Sequence, residues 1–259
     1  MRKLMGRVLV LVLILAAILL LHGYTGRSSG METVPDAETD SEAEAVPAVL
    51  EQKEVTLGAM RENAELGGVD ITVTAPDGTE TTYTFTDVEK DSWYADAVNY
   101  AVTAGLMNGV ADYPLFQPDY GILRESFAVI LYRFAGEPTV EAQKEYGDVT
   151  QNAWYYDAVE WAASKGLFAG SAANFGVGEY LTCQEAIRVL YRLAGEPETD
   201  ATLSGYPYAQ KVSDSMRAAV AWAWEQGLIT EIECVWYPTQ TISRAQVALL
   251  LMRYDTLIE

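Results

Sequence analysis

The chain has 259 residues, 50% hydrophobic and 21% charged, with 37 acidic against 17 basic side chains and a formal net charge of -20. That length allows one or two domains with a real core. The charge argues against nucleic acid as a partner, because phosphate repulsion would replace the counterion release that drives such binding.

The first segment reads as targeting rather than fold. Arg2, Lys3 and Arg7 precede an unbroken apolar run of 14 residues, 8–21. Basic residues before a short apolar run are the pattern of a secretory signal. The run is short for a spanning helix, yet no small-x-small cleavage site comes after it. Residues 1–24 are therefore assigned as a signal peptide or N-terminal membrane anchor, with the anchor slightly favoured. The basic end would stay in the cytoplasm and the rest would lie outside. No cysteine is near enough for a lipid attachment of the lipoprotein kind. His22, the only histidine, reads as a boundary residue and not a catalyst.

Residues 25–57 are polar, acidic and poor in aromatics, the composition of a disordered, self-repelling tether. In 58–84, Ile71-Thr72-Val73-Thr74 and Thr81-Thr82-Tyr83-Thr84 flank Pro76-Asp77-Gly78. Alternating β-formers about an Asp-Gly turn predict a hairpin. Alone it would be marginal, so it is expected to pack on the C-terminal part of the chain.

From residue 85 onward a block of roughly sixty residues recurs three times. Trp93-Tyr94 opens a run ending Gly105-Leu106, Trp154-Tyr155 opens one ending Gly166-Leu167, and a third ends Gly227-Leu228. The three glycines are 61 residues apart. Tyr94, Ala97, Val98 and Ala101 share a helical face, as do Tyr155, Ala158, Val159 and Ala162. Each glycine is placed to stop a helix. A second helical run comes after each loop, with Phe127, Ile130, Leu131 and Phe134 as one stripe and Val247, Leu250, Leu251 and Tyr254 as another. The blocks are 85–144, 145–203 and 204–259.

The starts of the second helices carry the chemistry. Thr182 with Glu185, and Ser243 with Gln246, have capping-box spacing; the first block, with Leu123 and Ser126, has lost it. Arg124 and Arg244 fall at the first helical position. A cation beside free backbone N–H groups is expected to form an anion site, against the plainer reading of a solvated surface charge. The second block has Cys183 there. A thiol at a helix N-terminus is expected to have a lowered pKa. A Cys183–Cys234 bridge is left open, since two cysteines make no framework.

These residues resemble the S-layer homology family. The resemblance rests on Phe85-Thr86-Asp87-Val88, Trp93-Tyr94, Gly105-Leu106-Met107-Asn108-Gly109, Phe116-Gln117-Pro118 and the 122–127 stretch. Tyr146-Gly147-Asp148-Val149, Trp154-Tyr155 and Leu181-Thr182 repeat it, as does Ile242-Ser243-Arg244-Ala245-Gln246-Val247. It implies a mainly α fold of three helix-loop-helix repeats in a pseudo-threefold, all-helical unit. It also implies attachment of an exported protein to a bacterial cell wall through secondary cell wall polymer, or another peptidoglycan-linked glycan, bearing pyruvylated amino sugars. By the same resemblance, Arg124 and Arg244 would hold the pyruvate carboxylate by paired hydrogen bonds. Trp93, Trp154, Gly109 and Gly170 would complete the groove. Trp161, Trp222 and Trp224 read as core. With Cys183 replacing an arginine, at most two of three grooves are expected to bind.

The competing reading is a membrane-tethered structural or protein-interaction module whose degenerate repeats no longer bind glycan. An enzyme is disfavoured, since the sequence offers no Ser/His/Asp set and no metal-ligand cluster. No catalytic residue, metal or cofactor is assigned.

Overall fold

The computed structural model describes residues 55–140, 146–168 and 173–258. The N-terminal segment, the tether up to residue 54 and Gly170 lie outside them. Among the described residues, no helix is long and apolar enough to cross a membrane.

The described chain opens with strands β1 (Ala59–Glu62), β2 (Val69–Thr74) and β3 (Glu80–Phe85). They form one antiparallel sheet in the order β1-β2-β3. The expected hairpin is β2–β3, paired from Thr74 with Glu80 to Val69 with Phe85. The turn at Gly78 takes φ +83°, where glycine is at ease. Strand β1 was not foreseen. Its Ala-Met-Arg-Glu sequence lacks β-branched residues, and only its pairing with β2 makes it a strand. The sheet packs as expected. Val69, Ile71 and Phe85 are buried in the common core. Gly58 N–H donates to Thr103 Oγ1 (3.0 Å), and Asn99 Nδ2 donates to Gly58 O (2.9 Å).

Six helices come next among the described residues: α1 (Ala95–Thr103), α2 (Arg124–Phe134), α3 (Tyr156–Ser164), α4 (Cys183–Leu193), α5 (Arg217–Glu225) and α6 (Arg244–Ile258). The first helix of each pair has 9 residues, too short to stand alone in water. Each is held by tertiary packing. Helix α2 packs on α3, α4 on α5, and α6 on α1. The second helix of each pair thus rests on the first helix of the next, and the last closes on the first. Trp161 and Trp222 lie in the core, as expected, and Trp224 packs against it half-buried.

The cycle is repeated in the backbone. Ile122 N–H donates to Ile242 O (3.1 Å), Ile242 N–H to Leu181 O (2.9 Å), and Leu181 N–H to Ile122 O (3.1 Å). Gly121 permits this closeness, since a Cβ there would stand 2.5 Å from Thr241 Cγ2 and 2.9 Å from Tyr180 Cδ1.

Gly105, Gly166 and Gly227 end the first helices at φ +70°, +62° and +70°, as their spacing foretold. The carbonyls left over there meet arginines from the second helices. Arg133, Arg192 and Arg253 donate from Nη1 to Leu106 O, Leu167 O and Leu228 O at 3.1–3.2 Å. Helices α2 and α4 stop before Gly136 and Gly195; α6 meets no such glycine, runs to Ile258, and receives the Tyr100 hydroxyl on Asp255 Oδ2 at 2.8 Å.

Candidate ligand-binding junctions

Each second helix begins where two pairs meet. Its N-cap residue is Leu123, Thr182 or Ser243. Thr182 forms the full capping box with Glu185. Ser243 N–H donates to Gln246 Oε1 (2.9 Å), and Gln246 N–H to Ser243 Oγ (3.2 Å), a second box. Leu123 makes no side-chain cap. All three agree with the spacing.

The expectation of free N–H groups beside the arginines does not hold. Arg124 N–H donates to Glu179 O, Cys183 N–H to Gln240 O, and Arg244 N–H to Tyr120 O, at 2.8–2.9 Å. Gln184 and Ala245 N–H go to Pro238 O and Pro118 O. Carbonyls of the neighbouring pair have taken the place an anion would fill.

The two arginines do come to equivalent places. Arg124 is 7% exposed, and its Nε donates to Phe175 O at 2.9 Å. Its guanidinium lies 5.3 Å from the Phe168 ring centre and 5.5 Å from that of Phe175, within cation–π range. Arg244 Nε donates to Phe116 O and Nη2 to Asn108 O, both at 2.7 Å. Its guanidinium stands 4.8 Å over Phe116. Burial lowers the Arg244 pKa and Asp87 opposes that; an arginine stays charged regardless. Among the described residues no carboxylate is within ion-pair distance of Arg244, and its Nη1 has no partner there.

The other end of each gripped peptide is held by an aspartate. Asp87 accepts from Phe116 N–H (2.8 Å) and Gln117 N–H (2.7 Å). Asp148 accepts from Phe175 (2.8 Å), Gly176 (2.6 Å) and Val177 (2.9 Å). Burial of Asp148 pushes its pKa up, but the three backbone N–H bonds outweigh it and the net shift is down. Sequence reasoning gave these carboxylates no role. Their separation of 61 residues, the same as that of the stop glycines, was the available signal.

The third junction is built differently. Cys183 stands where an arginine would, and Trp236 O accepts from the Tyr206 hydroxyl instead. Among the described residues no carboxylate accepts from Trp236 N–H. The expected reactive thiol is also corrected. Cys183 is 1% exposed, and burial, with Cys234 nearby, pushes its thiol up to about 12. The Cys183 backbone N–H at the helix start pulls the other way, but burial outweighs it, and the first N–H groups also serve Gln240 and Pro238. Both cysteines are free thiols.

Trp93 and Trp154 are 38% and 67% exposed, each set edge-on against the next tyrosine at 5.2 and 5.3 Å. The Tyr94 phenol feels the charges of Asp119, Glu89 and Asp87, so this corner adjoins the Phe116 loop. Gly109 is required by packing, since a Cβ would meet Phe85 Cε1 at 2.8 Å and Leu115 O at 2.9 Å. It is next to Asn108, whose carbonyl Arg244 holds.

Comparison with known proteins agrees with this geometry. The family profile of the S-layer homology domain matches residues 84–128 and 145–187, and in these stretches the chain is similar to that family. Such domains are modules of cell-surface and cell-wall anchoring. The "Surface-layer 125 kDa protein" of Lysinibacillus sphaericus is 34% identical over 145 residues, 55% of this chain and 12% of its own length. The "S-layer protein sap" of Bacillus anthracis is 25% identical over 183 residues, 66% of this chain and 21% of its own. The "Amylopullulanase" of Thermoanaerobacterium thermosulfurigenes is 25% identical over 173 residues, 65% of this chain and 9% of its own. The chain therefore spans about a tenth to a fifth of these relatives.

Proposed function

We propose that the three helix pairs are three S-layer homology repeats in a pseudo-threefold unit, which attach the chain non-covalently to a bacterial cell wall. The ligand is secondary cell wall polymer, or another peptidoglycan-linked glycan, carrying pyruvylated amino sugars. The third pair, 204–259, lies outside the stretches matched by the family profile. Its place in the closed backbone cycle supports counting it as a repeat.

The observation that carries the reading is the duplication at Arg124 and Arg244. Both lie across aromatic rings, grip a neighbour's carbonyl and share a loop with an Asp-held backbone. Arg244 keeps Nη1 unclaimed among the described residues, and a carboxylate is the natural partner of a guanidinium edge. Exposed Trp93 and Trp154 offer faces for sugar rings, and the proposed site includes Gly109, beside the Arg244-held Asn108, and Gly170, which lies outside the described residues. The basic-then-apolar N-terminus supports export and a location outside the cytoplasm, with the membrane as a second point of attachment if that segment is retained. No catalytic role is proposed, because the amylopullulanase is matched over only 9% of its length.

A second reading has one observation in its favour. The third junction has lost both arginine and aspartate, as expected of repeats drifting toward a structural or protein-binding role at the cell surface.

The test is co-sedimentation of the full chain with walls bearing pyruvylated polymer and with walls stripped of it. Trp93→Ala/Trp154→Ala removes exposed side chains with little effect on folding. Arg124→Ala/Arg244→Ala is read beside its melting curve, since both arginines also hold loops. Pelleting that needs the polymer and the tryptophans supports the glycan reading. Equal pelleting on stripped walls, or none from a folded chain, moves the assignment to the second reading.

A further inference from the structure

The junctions of Arg124 and Arg244 share a backbone arrangement but not the side chains that border it. Arg124 N–H donates to Glu179 O and Arg244 N–H to Tyr120 O, so Glu179 and Tyr120 hold equivalent places. The Glu179 carboxylate comes close to the guanidinium. A Cβ built on Gly176 would stand 2.7 Å from Glu179 Oε2, 2.9 Å from Arg124 Nε and 3.0 Å from Arg124 Cδ, so acid and base border one space the size of a methyl group. Glu179 N–H donates to Gly176 O at 3.1 Å and closes the turn that sets them there. A second carboxylate is tied to the same loop: Glu125, 4% exposed, accepts from Gly178 N–H at 3.0 Å on Oε2. Around Arg244 the corresponding residues are Gln117, Tyr120 and Ala245, all without charge. Arg244 is also the more accessible of the two, half-buried where Arg124 is 7% exposed.

We propose that Glu179 is an internal counter-charge that holds carboxylate ligands off Arg124, leaving Arg244 as the arginine that takes them. This rests on the reading of the two arginines as ligand-binding groups. A carboxylate supplied by the chain is present before any ligand and gives up no translational freedom on pairing. An incoming carboxylate meets a guanidinium already partly neutralised, with a like charge beside it. Glu179 is exposed, so water and salt screen the pair, and the penalty on binding is about three- to tenfold rather than total. Glu125 cannot swing aside, because Gly178 N–H holds it. Asp87 beside Arg244 and Asp148 in the other junction are equivalents, each spent on backbone N–H groups, and they cancel in the comparison. Tyr120, 62% exposed, brings a ring face to Arg244 in place of the charge.

The experiment is an NMR titration of the full chain, labelled with ¹⁵N at arginine, reading the Nε–H signals of Arg124 and Arg244. Lysine substitution at each identifies them; should either variant not fold, contacts with the ring protons of Phe175 or Phe116 serve instead. The probe is sodium pyruvate, a carboxylate without a sugar, against sodium chloride at equal ionic strength. The wild type is compared with Glu179→Gln and Tyr120→Glu, both changes of exposed side chains. The expected result is a saturable shift at Arg244 and a weaker one at Arg124. Glu179→Gln strengthens the apparent affinity at Arg124 about three- to tenfold and leaves Arg244 alone; Tyr120→Glu weakens Arg244 by a similar factor. Equal responses of the two arginines in the wild type overturn the proposal, as does an Arg124 response that Glu179→Gln leaves unchanged. Wall pelleting is read separately. Pelleting that needs the polymer while neither arginine answers pyruvate sinks this proposal and leaves cell-wall attachment standing. No pelleting, while Glu179→Gln releases Arg124, does the reverse.

Discussion

The junctions of Arg124 and Arg244 hold one loop residue at both ends of its peptide links; the third holds its counterpart at one end only. Phe116 and Phe175 have their N–H on an aspartate and their C=O on an arginine of the neighbouring pair. Trp236 keeps only the carbonyl contact, and a tyrosine of its own pair makes it. The carbonyl contact is therefore what the fold demands, because a buried C=O without a donor is costly. A neutral hydroxyl meets that demand. The guanidinium brings charge beyond it, and under the proposed function that charge is what an anionic ligand would use. On the proposed function, the difference between the junctions would separate the structural part of the motif from the binding part.

Thiol chemistry offers the largest contrast. With its thiol pushed up to about 12 by burial, Cys183 has roughly a thousandfold less thiolate at pH 8 than an ordinary cysteine. Cys234 is pushed up to about 11, chiefly by burial. Labelling by a disulfide reagent is expected to be slow for both in the folded chain and complete within minutes in strong urea. Rapid native labelling of Cys183 would mean that the third junction opens far more readily than its packing implies.

Next in size are truncations at the carbonyl grips. Arg124→Ala removes a hydrogen bond and two ring contacts and leaves Phe175 O unpaired beside a void, a loss of about 3 kcal/mol. Tyr206→Phe keeps the ring and removes only the donor to Trp236 O, costing about 1–2 kcal/mol. Urea melts of the two variants compare them directly. A Tyr206→Phe loss as large as that of Arg124→Ala would make the third junction as strained as the others.

Asp148 gives the comparison a pH dependence. Its folded pKa lies below the unfolded value, so its contribution is fully present above the ordinary aspartate pKa of about 3.9 and is lost as pH falls through the folded pKa. Thermal melts of the wild type should therefore fall steeply below about pH 4. Asp148→Asn should melt lower at pH 7 and show a flatter decline in acid. Identical slopes would remove Asp148 from the acid response.

Much of this was legible in the sequence because a repeated spacing reveals repeated geometry. The stop glycines, the two capping boxes, the missing box at Leu123 and the buried stripes all stood where periodicity put them. Two things were hidden, for one physical reason. The partners of the N–H groups at the helix starts and of the two guanidinium groups are set by chain that is distant in sequence, 51 to 136 residues away for the guanidinium contacts. A helix N-terminus read alone is a ready anion site and a thiol activator; read against its neighbour, its donors are already engaged. Strand β1 was missed on the same ground, since its pairing partner and not its own side chains makes it a strand.

The smallest effect concerns the caps, and it tests whether the helix pairs are interchangeable locally. Thr182 accepts from Glu185 N–H while Glu185 accepts from Thr182 N–H and from its hydroxyl. Thr182→Ala should lower stability by about 1 kcal/mol. The reciprocal change, Leu123→Thr with Ser126→Glu, places the same pair at the same offsets at the start of α2. If the three helix starts share one backbone geometry, that double variant gains about 1 kcal/mol in a urea melt. Leu123 already has φ -81° and ψ 153°, against -80° and 161° at Thr182, so no backbone change is needed to form the box. A gain absent or reversed would show that the half-buried Leu123 side chain contributes more through its contacts than the cap can return. The absence of the box in the first helix pair would then be an exchange of polar capping for packing.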